Sequence, residues 1–153
     1  MENKYINDQI RTFLADTDLI ASLANISSVI MNSYSDLNWA GFYFVKNDQL
    51  VVGPFQGKPA CSPIPFSKGV CGKCYRDKRT QRIDDVLAIK DHIVCDSASR
   101  SELCVPVIVK DEVVMEIDLD SPIACRFDED FEKEMLQAAQ DISNAFLQHS
   151  WSF

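Results

Sequence analysis

No apolar run in the 153 residues approaches the roughly 18 consecutive apolar positions of a membrane span. A spanning helix is not expected. The N-terminal stretch "MENKYINDQIRTF" lacks the basic-then-apolar layout of an export signal. Basic residues are scarce and scattered, with 15 Lys and Arg against 23 Asp and Glu for a net charge of −8. Their one cluster, "RDKRTQR", reads as a solvated helix end. Nucleic acid and anionic membrane surfaces are therefore disfavoured as partners. If the acidic balance bears on substrate, it favours a cationic or zwitterionic one. Low-complexity tracts, internal repeats and linker-like stretches are also missing, which argues against disorder and against a second domain. Together these absences predict a soluble cytoplasmic protein with one domain over residues 1–153 and a single core.

What the chain does have is cysteine. Six occur, and "KPACSPIPFSKGVCGKCYRDK" places Cys61, Cys71 and Cys74 within 14 residues. "DHIVCDSASRSE" adds Cys95. In a reducing compartment, with a core of adequate size, static disulfide staples are not expected. Cysteines that matter there are metal ligands, redox sensors or catalysts.

The rest of the chain supplies the frame. Residues 17–34, "TDLIASLANISSVIMNSY", carry Leu19, Ile20, Leu23, Ile26, Ile30 and Met31 at helical spacing, with Asp16 or Thr17 as cap. "WAGFYFV" and "QLVVGPF" read as a hairpin turning at "KND", and "ELCVPVIV" and "EVVMEIDLD" as a second turning at "KD". "GVCGKCYRDK" reads as a short helix and "TQRI" as a short strand. The closing segment, "DEDFEKEMLQAAQDISNAFLQHS", puts Phe131, Met135, Ala138, Ile142, Ala145 and Phe146 on one helical face, capped by Asp128. The expected architecture is α+β: one antiparallel sheet with terminal helices on one face and a loop-rich active-site side. Two long irregular stretches, 56–68 and 84–100, interrupt it. Long loops in a compact domain usually carry function, and both contain cysteines.

Three chemistries compete for those cysteines. Cys71-x2-Cys74-x17-His92-x2-Cys95 has zinc-knuckle spacing. Against it, the domain needs no metal to fold, and helix geometry turns Cys74 away from the loop. A thioredoxin-like CxxC pair needs a βαβ context that an antiparallel sheet does not provide. A thiol enzyme instead spreads attacking and resolving cysteines over mobile loops, so that the sulfurs can meet and separate. Such a site also needs polar groups. In "IDLDSP", Asp118 and Asp120 share one strand face and Ile117 and Leu119 the other. Adjacent carboxylates repel, so the pair points to a bound cation or ammonium, unless the face is simply solvated.

"NWAGFY", "GPFQGKPAC", "GVCG", "DHIVCDSASRSE" and "IDLDSP", in this order and at these spacings, resemble the free methionine-(R)-sulfoxide reductases, enzymes built on a GAF domain. The resemblance spans about residues 19–142, and its pattern Cys61-x9-Cys71-x23-Cys95 is specific. It implies reduction of free methionine-(R)-sulfoxide through a sulfenic acid and an intramolecular disulfide, with no bound cofactor and no metal. The thioredoxin/NADPH system would be the external reductant. It further implies Cys95 as nucleophile, Cys61 as principal resolving cysteine and Cys71 as a second one. Trp39 and Tyr43 would form the aromatic wall, with Glu102, Asp118 and Asp120 as pocket carboxylates; Glu102 and Asp120 would lie nearest the chemistry. A homodimer is also compatible with the fold.

The chain departs from that pattern in places. Pro63 stands where relatives tend to carry arginine, Ser67 where they carry glycine, and Met115 and Glu116 precede "IDLDSP". Glu116 extends the Asp118–Asp120 alternation. Cys74 and Cys104 are additions to the minimal set, with Cys104 expected as a small buried hydrophobe. His92 is expected to be a bystander and Cys125 has no assigned role. The competing function is a non-catalytic GAF-type module that senses a small ligand or redox state with the same cysteines.

Overall fold

Alternation along four strands creates two chemically different sheet faces, and the layers follow from it. The computed structural model describes residues 5–90 and 92–153; Met1–Lys4 of the expected domain and Asp91 of "DHIVC" lie outside them. The chain runs α1 (Ile6–Phe13), α2 (Leu19–Ser33), β1 (Trp39–Lys46), β2 (Gln49–Gly57), β3 (Ile64–Pro65), α3 (Gly69–Asp77) and β4 (Gln81–Ile83). A 3-10 turn (Val86–Ala88), β5 (Ser101–Val109), β6 (Glu112–Ser121) and α4 (Glu129–Gln148) complete it. The strands form one antiparallel sheet in the order β3-β2-β1-β6-β5-β4.

Both expected hairpins are present. Each turns on two residues with positive φ, Asn47 and Asp48 (54° and 59°) and Lys110 and Asp111 (50° and 67°). That is the I′ geometry, whose twist matches the flanking strands. A register shift between Gly41 and Tyr43 bulges β1 against β2. Gly41 is required there, since a Cβ would stand 2.3 Å from the Phe55 Cβ.

On one face, Ala40, Phe42 and Phe44 of β1, Leu103, Val105 and Val107 of β5, and Met115, Ile117 and Leu119 of β6 meet the helices. α2 contributes Leu23, Ile26 and Ile30, and α4 contributes Phe131, Met135, Ala138, Ile142 and Ala145. The terminal helices thus cover one face as expected, and Asp128 caps α4 by accepting from the Phe131 amide at 2.8 Å. Three details differ. Asp18 caps α2, accepting from the Ala21 amide at 2.8 Å, rather than Asp16 or Thr17. Ile20 faces solvent at 55% exposure, because at 100° per residue it points about a quarter turn away from the stripe of Leu23, Ile26 and Ile30. α1 adds Ile6 and Ile10 to the core.

The opposite face carries Trp39, Tyr43, Cys104 and the acids, covered by α3 and the two irregular stretches. The site lies here.

Candidate active site

Register sets three rows of side chains across this face. Trp39 of β1 pairs with Asp120 of β6, which pairs with Glu102 of β5. One pleat along, Gly41, Asp118 and Cys104 are aligned, and then Tyr43, Glu116 and Pro106. Every carboxylate expected in the pocket therefore stands on the sheet, and sulfur chemistry approaches from the loops.

Above the rows, Cys61 and Cys95 form a disulfide with Cα atoms 5.5 Å apart. One cysteine comes from each irregular stretch. The Cys61 segment is tied to the aromatic wall: the Tyr43 hydroxyl donates to the Cys61 carbonyl oxygen at 2.8 Å, and the Trp39 indole donates to the Lys58 carbonyl oxygen at 3.2 Å. Trp39 stacks between Tyr43 and Phe55, at centroid distances of 5.8 and 5.2 Å. On the other loop, Asn38 donates to Asp96 at 3.1 Å and to Ser99 at 3.0 Å, and Asp96 accepts from the Ala98 amide at 2.9 Å.

Between floor and loops lies a cleft of about 560 Å³, open solvent at its mouth included. Trp39, Tyr43, Cys71, Cys95, Glu102, Asp118 and Asp120 all reach it. The structure thus brings together all but one of the expected site residues in a single cavity. The exception, Cys61, borders it through its bond to Cys95. His92, Asp96 and Ser99 also line the cleft.

The electrostatics are unusual because so many acids share a dry space. Glu102 is pushed up to about 8 by burial and then by the Asp120 charge. Glu116 is also pushed up to about 8, chiefly by burial. Asp118 and Asp120 rise well above the ordinary carboxyl range, burial again first, followed by Glu102 for Asp118 and by Asp118 for Asp120. Asp96 goes the other way, held down by the Ala98 amide. The site therefore offers protonated carboxyls on the sheet and an ionised Asp96 at the cleft wall, the combination that lets one pocket donate a proton and hold an ammonium.

Three residues make contacts that the sequence does not reveal. His92 lines the cleft, with its Nε2 3.7 Å from Glu102 Oε2. Cys104 is buried, but in polar company, with its thiol 3.1 Å from Glu116 Oε2 and 3.7 Å from Cys71 Sγ. Cys74 does not line the cleft, in keeping with a side chain turned from the loops, and its thiol reaches the Cys104 carbonyl oxygen on β5, 3.6 Å away. Burial and the thiols of Cys71 and Cys74 push the Cys104 thiol well up. For Cys71, the Cys104 hydrogen bond pulls downward, yet burial and the acids leave it raised.

Among the described residues, two groups place three ligating atoms within 4.8 Å of one another: Cys71–Cys104–Glu116 and Cys71–Glu102–Asp118. Neither is the set that the zinc-knuckle spacing joins, since Cys95 is bonded to Cys61.

The GAF-domain family profile matches residues 20–146. A free methionine-R-sulfoxide reductase of Escherichia coli strain K12 is 43% identical over 127 residues, covering 83% of this chain and 77% of its own. The chain belongs to this family. A yeast member, from Saccharomyces cerevisiae, is 40% identical over 133 residues, covering 82% of this chain and 73% of its own. The solved free methionine-R-sulfoxide reductase of Neisseria meningitidis, in complex with its substrate, superposes with a TM-score of 0.91 at 36% identity. That alignment covers 95% of this chain and 88% of the other. Family membership accounts for the α+β GAF architecture. Among the described residues, no helix is long and apolar enough to cross a membrane.

Proposed function

We propose that this protein reduces free methionine-(R)-sulfoxide to methionine, with Cys95 as nucleophile and Cys61 as resolving cysteine. The observation that carries the reading is the Cys61–Cys95 disulfide closing directly over a cleft floored by acids and walled by Trp39 and Tyr43. The relatives named for this activity, one of them solved with its substrate, support it.

The chemistry follows from the arrangement. Sulfoxide sulfur is a poor electrophile until its oxygen is protonated. Glu102, pushed up to about 8, keeps its proton near neutral pH and can deliver it to that oxygen. The Cys95 sulfur attacks and takes the oxygen as a sulfenic acid, and methionine leaves. The Cys61 thiol then displaces water, forming the disulfide. Asp118 and Asp120 receive the substrate's ammonium group, which selects the free amino acid over a peptide residue. Asp96, ionised at the cleft wall, adds to that field. Trp39 faces the S-methyl group.

Recycling is assigned to thioredoxin, fed by NADPH, with no cofactor bound to the protein itself. The donor must reach a disulfide whose two loops lie at the cleft rim. Cys71, also in the cleft, serves as second resolving thiol. The protein acts in the cytoplasm, as a monomer or a homodimer.

The test supplies racemic free methionine sulfoxide with a thioredoxin recycling system and follows NADPH loss beside chiral analysis of the remaining sulfoxide. Loss of the R epimer alone, abolished in Cys95→Ser, is expected. Binding without turnover in folded, reduced protein would overturn the catalytic reading and leave a ligand-sensing module.

A further inference from the structure

Beside the cleft floor, further along the same sheet face and under α3, lies a second constellation that the proposed reaction does not use in full. Cys104 on β5 and Glu116 on β6 are diagonal neighbours on the sheet, and α3 lowers Cys71 and Cys74 onto them. All four are buried, with Cys74, Cys104 and Glu116 at 0% exposure and Cys71 at 4%. Glu116 Oε2 accepts from the Cys104 thiol at 3.1 Å, and the Cys71 sulfur lies within 4.8 Å of the same carboxylate. One of its oxygens, Oε1, has no hydrogen-bond partner among the described residues. A fully buried carboxylate oxygen left without a partner is costly and calls for an explanation. An ion placed there would supply one.

We propose that the Cys71–Cys104–Glu116 cluster is a zinc site, and that Cys74, which lies just outside the group's 4.8 Å spacing, moves in as fourth ligand when the ion binds. The spacing fits the ion. Zinc–thiolate bonds of about 2.3 Å in a tetrahedron set a sulfur–sulfur edge of about 3.8 Å. The Cys71 and Cys104 sulfurs are 3.7 Å apart. The three ligating atoms of Cys71, Cys104 and Glu116 all lie within 4.8 Å of one another. Cys74 is held beside them by its contact with the Cys104 carbonyl oxygen at 3.6 Å. Two or three thiolates with one carboxylate form a set for a borderline-soft divalent ion, and hard cations such as magnesium are poorly served by sulfur. The ion reaches the site through the cleft, which Cys71 lines. On binding it displaces the thiol protons to solvent and satisfies Glu116. The CxxC half of a zinc knuckle is thus completed by two strands in place of His92 and Cys95. The assignment does not rest on the proposed reductase reaction. With the ion bound, Cys71 is held as a ligand and Cys61 alone resolves Cys95, so a resolving role for Cys71 belongs to the metal-free protein.

A cobalt titration tests it. The Cys61→Ser/Cys95→Ser protein, kept reduced and freed of metal, removes the two loop thiols as ligands. One cobalt ion per chain is expected, with a thiolate-to-cobalt charge-transfer band and intense tetrahedral d–d bands, both bleached by zinc. Adding Cys104→Ala or Glu116→Gln should weaken binding at least tenfold, and Cys125→Ala should leave it unchanged. Glu116→Gln keeps the side chain's shape, so the test survives if Cys104→Ala fails to fold. A bound ion without the charge-transfer band, or no stoichiometric binding, overturns the assignment. Binding that persists in Cys104→Ala but is lost in Glu102→Gln overturns it too, placing the ion with Cys71, Glu102 and Asp118.

Discussion

The Tyr43 hydroxyl donates to the carbonyl oxygen of Cys61 at 2.8 Å, joining the rigid β1 strand to the loop that carries one sulfur of the disulfide. Tyr43 is 3% exposed and its hydroxyl is pushed up by burial, so it remains a donor at any accessible pH. Tyr43→Phe should therefore slow disulfide closure more than substrate binding. One hydrogen bond is worth about 1 kcal/mol, or about fivefold in a rate that depends on it. Trapping with a sulfenic-acid probe should show more sulfenylated Cys95 during turnover, with KM nearly unchanged.

Glu102 should limit activity at alkaline pH. Its carboxyl is pushed up to about 8 and is useful while protonated, so kcat/KM should fall as pH rises through that value. Glu102→Gln removes the proton source. A loss of about a hundredfold or more is expected, with the alkaline limb gone from the pH–rate profile.

The acid cluster also makes a thermodynamic prediction for the protein without ligand. Glu102, Glu116, Asp118 and Asp120 all have folded-state values above their ordinary ones. The folded state then holds protons that the unfolded state has released, so this contribution to stability is fully present below the ordinary carboxyl range. For Glu102 and Glu116 it is lost as pH rises through about 8. Thermal unfolding should give a Tm that declines between about pH 5 and pH 8. Glu116→Gln should flatten part of that decline.

Cys61→Ser should stop the enzyme after a single turnover. Cys95 still takes the oxygen, but its bonded partner is missing. Mass spectrometry after mixing reduced protein with excess methionine sulfoxide should show one added oxygen and about one methionine released per chain. Cys71, if it substitutes as resolver, would instead produce a disulfide with Cys95 and no retained oxygen.

Gly41→Ala tests the bulge that sets Tyr43. The new methyl group would meet the Phe55 Cβ at 2.3 Å and the Pro54 carbonyl oxygen at 2.8 Å, neither of them at the flexible end of a side chain. Overpacking of this kind costs about 1–3 kcal/mol. Chemical denaturation should show that loss, with an unchanged m-value if the two-state behaviour holds.

Much of the fold was legible because alternation and helical spacing are local signals. The four long strands and α4 follow from them directly, as does the common face of Asp118 and Asp120. α1 has eight residues and only Ile6 and Ile10 buried, too short a stretch for periodicity to register. β3 is two residues long and exists only through pairing with Gln49 and Leu50. The roles of His92 and Asp96 depend on how an irregular segment folds back over the sheet, which no spacing rule encodes. Cys104 looked apolar because its strand neighbours are apolar. Its proximity to Glu116 depends on cross-strand register, where Pro106 pairs with Glu116 and Cys104 with Asp118. The resemblance to a reductase family identified the cleft residues without showing that a further thiol cluster lay beside them.

The two sulfurs of the Cys61–Cys95 bond ride on loops here, while the carboxylates proposed to recognise an amino acid are fixed to strands. The two tasks are therefore mechanically separable. Damage to either loop can silence the catalyst and leave a receptor for the same small molecule. Such a scaffold can pass between enzyme and sensor by changing a few loop residues, with its recognition floor intact throughout.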